Sequence, residues 1–172
     1  SEIRSAIPDD IRLHVFGIAR FSNLGNFLGL GIESFDSSAP MLKSFKDDNS
    51  NYFLADGRNY LAIRLPSVSE LSRTITDEDQ IRRIESSEED TLDSLRSYDR
   101  GQESIEHTLD LLDTHGKLLD LPLRRKEYQR TLEDAPWKTC PCLVCKEVGI
   151  DVIFFRGLNR NKRRGYHNLH AL

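Results

Sequence analysis

The three cysteines of the chain lie within six positions, and a histidine follows them at a distance. Cys140, Cys142 and Cys145 form a CxCxxC pattern, and His167 follows after a gap of 21 residues. Three thiolates and one imidazole are a ligand set typical of tetrahedral zinc, and four protein ligands leave no open position. The pattern therefore predicts a structural zinc site. His170 is the alternative fourth ligand, and three free thiols in a reducing compartment are the alternative to a metal site.

Length and composition bound the class of protein. A chain of 172 residues with 38% hydrophobic and 30% charged residues favours one domain with a large solvated or helical part. No signal peptide and no apolar run of membrane-spanning length is present, so we expect no membrane association. Clustered cysteines with metal-ligand spacing favour a reducing, cytoplasmic compartment. Because strand-like sequence begins close to Ser1, we expect the sequence to be a piece of a longer protein.

The middle of the chain is acidic, whereas its C-terminal part is basic. Residues 76–120 carry 14 acidic and 5 basic side chains, whereas residues 138–172 carry 2 acidic and 7 basic ones. A basic cluster beside a zinc site predicts a surface that binds nucleic-acid phosphates, and an ordinary solvated turn is the alternative. The cluster consists of Arg156, Arg160, Lys162, Arg163 and Arg164.

The first part of the chain has the pattern of a βαβ unit. Residues 11–19 predict a buried strand, residues 22–31 a short helix, and residues 32–36 a second strand. Strands joined by a crossover helix are parallel, and the chemistry of parallel sheets gathers at the carboxyl ends of the strands. Asp36 lies at such an end, so it is a candidate site residue. A loop-capping role is its structural alternative.

Two further stretches carry strand signals. Residues 51–65 predict a hairpin, because Asp56 and Gly57 form a strong turn signal between two apolar arms. Residues 148–155 are apolar and rich in β-branched and aromatic side chains, which favours a strand over a helix.

Between the hairpin and the cysteines, the composition becomes acidic and poor in aromatic residues. Isoleucine and leucine recur at helical spacing, which predicts two or three amphipathic helices whose apolar face packs into the core. The predicted breaks between them lie near Gly101, Gly116 and Pro122.

Two separated motifs resemble the tRNA-guanine transglycosylases. The CxCxxC…His-Asn-Leu pattern resembles their zinc site, and residues 15–17 with residues 31–40 resemble the last two strands of their barrel. The resemblance covers residues 11–65 and 137–172. It implies the C-terminal part of a (β/α)8 barrel, an α/β fold, with a zinc subdomain inserted near its end.

The resemblance also implies a chemistry. Asp36, which precedes a nearby proline, corresponds to the nucleophile that replaces guanine in a nucleic acid by a 7-deazaguanine. Phe16 would stack on the extruded base, and Gly17 would let the backbone approach it. Lys43 is a candidate nucleic-acid contact.

Departures from the family pattern point to DNA rather than tRNA as the substrate. Members that act on tRNA usually carry arginines where this chain has Leu42 and Phe45. Residues 154–157 and 163–168 look more like the branch that inserts 7-deazaguanines into DNA.

The implied division of the chain has three parts. Residues 1–65 are the last strands of the barrel with the hairpin, residues 66–136 an acidic helical insertion, and residues 137–172 the zinc-binding basic subdomain. The remaining N-terminal barrel half would lie in the same or another chain, so we expect a pentosyltransferase that is inactive as this fragment alone. A non-catalytic, zinc-stabilised nucleic-acid-binding module is the alternative, and a scaffold whose acidic helices bind a partner protein is a weaker one.

Overall fold

A computed structural model describes residues 2–8, 10–17, 24–47, 49–68 and 77–171 of the chain. Within these ranges, the side chains of residues 3, 24, 28 and 157–160 are not described. The end of the strand predicted at 11–19 and the start of the helix predicted at 22–31 therefore lie outside the described residues. The side chain of Arg160, a predicted nucleic-acid contact, also lies outside the part of the chain that the structure describes.

The described residues combine helices with short strands. The helices are α1 (Glu2–Ser5), α2 (Leu24–Gly29), α3 (Ala39–Lys46), α4 (Glu78–Asp99), α5 (Ile105–Leu118), α6 (Arg125–Asp134), α7 (Pro136–Thr139), α8 (Leu143–Val148) and α9 (Gly157–His170). The strands are β1 (Leu13–Val15), β2 (Ile32–Phe35), β3 (Tyr52–Phe53), β4 (Asn59–Tyr60), β5 (Ile63–Arg64) and β6 (Phe154–Phe155). They form three two-stranded sheets, and no closed barrel is present within the described part of the chain. None of the described helices is both long and apolar enough to cross a membrane.

The predicted βαβ unit is confirmed in its order and strand direction. β1 and β2 pair in parallel, with Val15 opposite Phe35, and α2 lies between them in the chain. The prediction that the first strand is buried is wrong, because β1 alternates between half-buried and exposed residues and most of β2 is exposed. Parallel sheets are normally covered on both faces by other elements. Within the described residues, this two-stranded sheet has no third strand.

The predicted hairpin is present but shorter than expected. β3 and β4 pair antiparallel around the turn at 54–58, whereas β5 leaves the hairpin and pairs in parallel with β6. The β3–β4 ladder ends where side chains, instead of the opposite strand, form hydrogen bonds with backbone groups of the second arm. The side-chain oxygen of Asn51 accepts a hydrogen bond from the backbone N–H of Ala62 at 2.7 Å, and Thr131 of α6 donates to the carbonyl of Leu61 at 2.9 Å. The second arm is thereby drawn into the core.

The acidic segment folds into three long helices, as its periodicity predicts. α4 begins after Asp77, whose carboxylate accepts from the N–H of Asp79, and α5 begins after Ser104, whose hydroxyl accepts from the N–H of His107. Such caps satisfy backbone donors that a helix start leaves without partners. α4 ends just before Gly101, and α6 begins shortly after Pro122.

One hydrophobic core joins the hairpin, the acidic helices and the cysteine region. Its buried apolar side chains include Tyr60, Ile63, Leu65, Leu92, Leu95, Leu109, Leu132, Trp137, Ile153 and Phe154. Polar contacts connect the same segments at the rim of the core. Arg96 of α4 forms a two-point ion pair with Asp151, with both distances 3.2 Å, and the indole of Trp137 donates to Asp99 at 2.8 Å. The acidic helices therefore buttress the cysteine region.

The strand predicted over residues 148–155 is mostly wrong. α8 ends at Val148, a 3-10 helix covers Gly149–Ile153, and only Phe154–Phe155 are extended. Ile150, Val152 and Ile153 are buried. The apolar composition of this stretch therefore reflects burial, which a short helical turn satisfies as well as a strand does.

The basic run lies in a helix, α9, which packs closely on α3. A Cβ atom added at Gly165 would lie 2.9 Å from Cγ of Met41 and 3.3 Å from Oγ of Ser44, so the two helices approach at this glycine. We expect Gly165→Ala to destabilise the protein by about 1–2 kcal/mol, because overpacking outweighs the gain of about 1 kcal/mol in helix propensity. Gly116→Ala is the matched control, since its Cβ would meet only the movable end of the Leu123 side chain.

Thermal or denaturant unfolding of the two variants measures this difference. A Gly165→Ala protein as stable as Gly116→Ala would mean that α3 and α9 have room to separate.

Candidate functional site

The three cysteines and His167 form one compact, buried group. Their ligand atoms all lie within 4.8 Å of one another. Nδ1 of His167 is 3.5, 3.4 and 3.3 Å from the sulfurs of Cys140, Cys142 and Cys145. With zinc–sulfur and zinc–nitrogen bonds of about 2.3 and 2.0 Å, tetrahedral geometry separates such ligand atoms by about 3.5 Å. The group therefore has the composition and spacing of a four-ligand zinc site.

The short cysteine loop sets up three of the four ligands. Cys140 follows α7, Cys142 caps the N-terminus of α8, and Cys145 lies in the first turn of that helix. The backbone N–H of Cys145 donates to the sulfur of Cys142 at 3.3 Å. An N–H donor and the positive end of a helix both favour a sulfur that carries negative charge. The loop thus gathers three sulfurs at the start of one short helix.

Neighbouring groups orient the histidine and one cysteine. Nε2 of His167 donates to the carbonyl of Phe53 at 2.7 Å, which leaves the lone pair of Nδ1 directed at the sulfurs. The ring of Tyr52 stacks on the imidazole at 3.9 Å between ring centres, and its hydroxyl lies 3.1 Å from the sulfur of Cys145. Sequence reasoning missed Tyr52 and Phe53 in this role, because a hairpin signal says nothing about what its strands contact.

Burial favours a neutral imidazole at the site and makes charged sulfurs depend on a cation. It lowers the pKa of His167 to about 4, so the ring is neutral and able to bind metal near neutral pH. It also raises the pKa of Cys140 and Cys145, since a thiolate loses hydration in the core. A bound cation offsets that cost. His170 is exposed and outside the group, so His167 is the histidine that completes it.

Asn168, the residue after His167, connects the cysteine-histidine group to the start of α3. Its amide donates to the carbonyls of Pro40 and Asn51, both at 3.1 Å, and its side-chain oxygen accepts from the N–H of Phe53 at 3.1 Å. Pro40 lies at the start of α3, Asn51 lies just before β3, and Phe53 lies at the end of β3. Asn168 therefore joins the helix that carries His167 to the start of α3, which follows Asp36 closely in the chain.

A groove lies at the carboxyl ends of β1 and β2. It has a volume of about 540 Å3. Three predicted site residues, Phe16, Gly17 and Asp36, lie together in its wall, and Phe16 is 75% exposed. The complete lining is Phe16, Gly17, Asp36, Ser37, Ser38, Met41 and Leu169. The parallel pairing of the strands, which the sequence predicts, is what brings the ends of β1 and β2 to one edge.

The carboxylate of Asp36 is oriented from one side and open on the other. The N–H of Gly17 donates to its Oδ1 at 2.8 Å. The side chain is exposed, and no cation among the described residues pairs with it. Gly17 has φ of +68°, which glycine adopts without strain, and apart from its chain neighbours no heavy atom of the described residues lies within 4 Å of where its Cβ would be. The arrangement leaves Oδ2 and the backbone of Gly17 accessible to a ligand in the groove.

The predicted basic surface is only partly exposed. Lys162 and Arg163 of α9 are exposed, and Lys43 is half-buried with its ammonium 4.9 Å from the ring centre of Phe53. Arg156 instead forms an ion pair with the buried Glu88 of α4. Among the predicted basic residues that the structure describes, the exposed ones are therefore Lys162 and Arg163 on α9.

The predicted contact between Arg164 and nucleic acid is wrong, because this side chain is fully buried. Its guanidinium donates to the carbonyls of Ser44 and Phe154 and to the side-chain oxygen of Asn161. Burial lowers its pKa to about 9, which still leaves the group charged at neutral pH. Arg164 joins α3, β6 and α9, and a position in a basic run gave no signal of this role.

Comparison with known proteins found one kind of enzyme to which nearly the whole chain is similar. Over 182 aligned residues the chain is 38% identical to a curated protein from Salmonella montevideo named DNA-guanine transglycosylase. The match covers 99% of this chain and 43% of the relative, so the chain spans less than half of that protein's length. No protein-family model matches the chain. The resemblance to guanine transglycosylases inferred from the sequence is confirmed by this homologue.

Proposed function

We propose, from the homology of nearly the whole chain to part of a DNA-guanine transglycosylase, that this protein supplies the nucleophile-bearing part of a pentosyltransferase. The enzyme would replace guanine in a nucleic acid, with DNA favoured over tRNA, by a 7-deazaguanine. The observation that carries the proposal is the carboxylate of Asp36, exposed at a strand end and oriented by the N–H of Gly17.

The chemistry of base exchange suits this carboxylate. Oδ2 of Asp36 would attack C1′ of the target nucleotide, and the bond from C1′ to the guanine nitrogen would break as the guanine takes up a proton. The deazaguanine nitrogen would then attack C1′, lose its proton and release the carboxylate. Between the two steps, the sugar is held as an ester of Asp36. An ionised carboxylate needs no separate base for the first attack.

The rest of the groove would hold the extruded nucleotide. A base must leave its stack before chemistry at its sugar, and the enzyme must bind it outside the helix. Phe16 is exposed and offers an aromatic face for stacking, while Gly17 offers backbone without a side chain in the way. Leu42 and Phe45, which replace the arginines of tRNA-acting members, support DNA as the substrate.

The enzyme would require strands from outside the described sheet. A (β/α)8 barrel needs eight parallel strands in about 250 residues. The open, largely exposed pair of β1 and β2 supports the idea that further strands cover it. We propose that residues 1–65 complete such a barrel, that residues 66–136 are a helical insertion, and that residues 137–172 are the zinc-binding subdomain. This chain alone would then be inactive.

The cysteine-histidine site would hold zinc in a structural role. Cys140, Cys142, Cys145 and His167 fill four positions, so a bound ion would stabilise the fold and leave no position for substrate. Lys162 and Arg163, with Lys43, would contact phosphates.

Covalent trapping tests the proposed function. The chain, joined to or mixed with the remaining barrel half, is incubated with a guanine-containing DNA oligonucleotide without free base, denatured and digested. We expect a nucleotide adduct on the peptide that contains Asp36, identified by mass spectrometry. Salt-dependent binding of DNA with no adduct on any residue would support the alternative, a non-catalytic binding module.

A further inference from the structure

One side of α9 is exposed over the described length of the helix, and it carries two cations at the end nearer the N-terminus. Lys162, Arg163, Tyr166, Leu169 and His170 are exposed, and their spacing of three and four residues places them on one face of the helix. The opposite face carries the buried residues of the helix. The sequence of α9 contains no aspartate or glutamate. We call this exposed set of five residues the α9 face.

The α9 face reaches the groove that contains Asp36. Leu169, near the C-terminal end of α9, lines that groove. Lys162 lies seven residues earlier, about 10 Å along the helix axis. Tyr166 lies between them, and 58% of its surface is exposed. The order from the groove outward is therefore an apolar side chain, an aromatic ring and two cations.

We propose that the α9 face binds a single nucleic-acid strand that leads into the groove, with a base stacked on Tyr166 and phosphates beside Lys162 and Arg163. Charge complementarity favours this occupant, since the face carries cations and no carboxylate of its own helix. An exposed aromatic ring between cations and a groove is the arrangement with which proteins hold unstacked bases. The idea that the bound strand leads to a reacting nucleotide rests on the proposed function. The binding of a strand by the α9 face does not depend on that function.

Fluorescence anisotropy with a labelled single-stranded oligodeoxynucleotide tests the proposal at several salt concentrations. We expect Tyr166→Ala to weaken binding about ten- to a hundredfold, and Tyr166→Phe to bind almost normally, because stacking needs the ring and not the hydroxyl. Leu143→Ala is the control, since Leu143 is 74% exposed on α8, outside the α9 face. It should bind like the unsubstituted protein.

The salt dependence separates stacking from charge. Replacing both Lys162 and Arg163 by Ala should lower the slope of log affinity against log salt by about 0.7 for each phosphate that the protein no longer neutralises. Tyr166→Ala should weaken binding with the slope unchanged, because an uncharged ring releases no counterions.

Two results would overturn the proposal. The first is affinity of Tyr166→Ala within about twofold of the unsubstituted protein, where a stacking contact predicts a larger loss. The second is a Tyr166→Ala protein that binds DNA normally but has a different oligomeric state, as measured by light scattering. That result would mean that the α9 face is a contact between copies of the chain. Either result leaves the adduct on Asp36 free to form, so it is distinguishable from failure of the proposed function. Weaker binding by Tyr166→Ala without any adduct would support the strand-binding face and reject the enzyme.

Discussion

Replacing Asp36 by Asn is expected to abolish base exchange in the completed enzyme while the fold survives. A neutral amide cannot form the glycosyl ester, so the rate should fall by about 10⁴-fold or more, the scale seen when a covalent nucleophile is lost. The amide oxygen can still accept the hydrogen bond from the N–H of Gly17. Because the side chain is exposed, the free energy of unfolding should change by no more than about 0.5 kcal/mol.

The measurement is incorporation of a labelled 7-deazaguanine into DNA, together with covalent trapping in its absence. Both signals should be present with Asp36 and missing with Asn. Asp47→Asn is the matched control, because Oδ1 of Asp47 also accepts backbone N–H groups, from Asn49 and Ser50 at 2.9 Å each, but lies outside the groove. Exchange at a near-normal rate in the Asp36→Asn enzyme would show that the nucleophile lies elsewhere.

Replacing His167 by Ala is expected to release the metal and unfold the region around the cysteines. A structural zinc site contributes on the order of 10–16 kcal/mol, comparable to the entire stability of a typical domain. His167 is also buried against Tyr52, so its loss leaves a cavity beside the three sulfurs. Cys142→Ser should have the same effect, since it removes a thiolate ligand, whereas the serine hydroxyl can still cap α8.

Elemental analysis and thermal unfolding measure the two consequences. We expect one zinc per chain in the unsubstituted protein, little in His167→Ala, and a cooperative transition that is lost or strongly lowered. His170→Ala is the matched control, because this exposed histidine lies outside the ligand group, so metal content and stability should be unchanged. A stable, metal-free His167→Ala protein would show that the fold does not depend on zinc.

Patterns that act over a few residues were readable from the sequence. The CxCxxC spacing brings three sulfurs to one loop, because a cap and a first helical turn place them there without help from distant residues. The period of the acidic segment gives α4, α5 and α6, since an amphipathic helix needs only its own spacing and one apolar surface to cover. The crossover between β1 and β2 implies parallel strands, and with them the meeting of Gly17 and Asp36 at one edge.

Contacts between distant segments were decided only by the tertiary structure. Composition alone made residues 148–155 resemble a strand. In the structure a 3-10 helix buries most of this stretch, and β6 pairs with β5 over only two residues. In the sequence, the five cations of the basic run are equivalent. In the structure, packing of α9 on α3 buries Arg164 and leaves Lys162 and Arg163 exposed. Likewise, the sequence left two histidines, His167 and His170, as candidates for the fourth ligand. The carbonyl of Phe53, far away in the chain, holds the ring of His167 in the buried group, and only the fold could bring that carbonyl there.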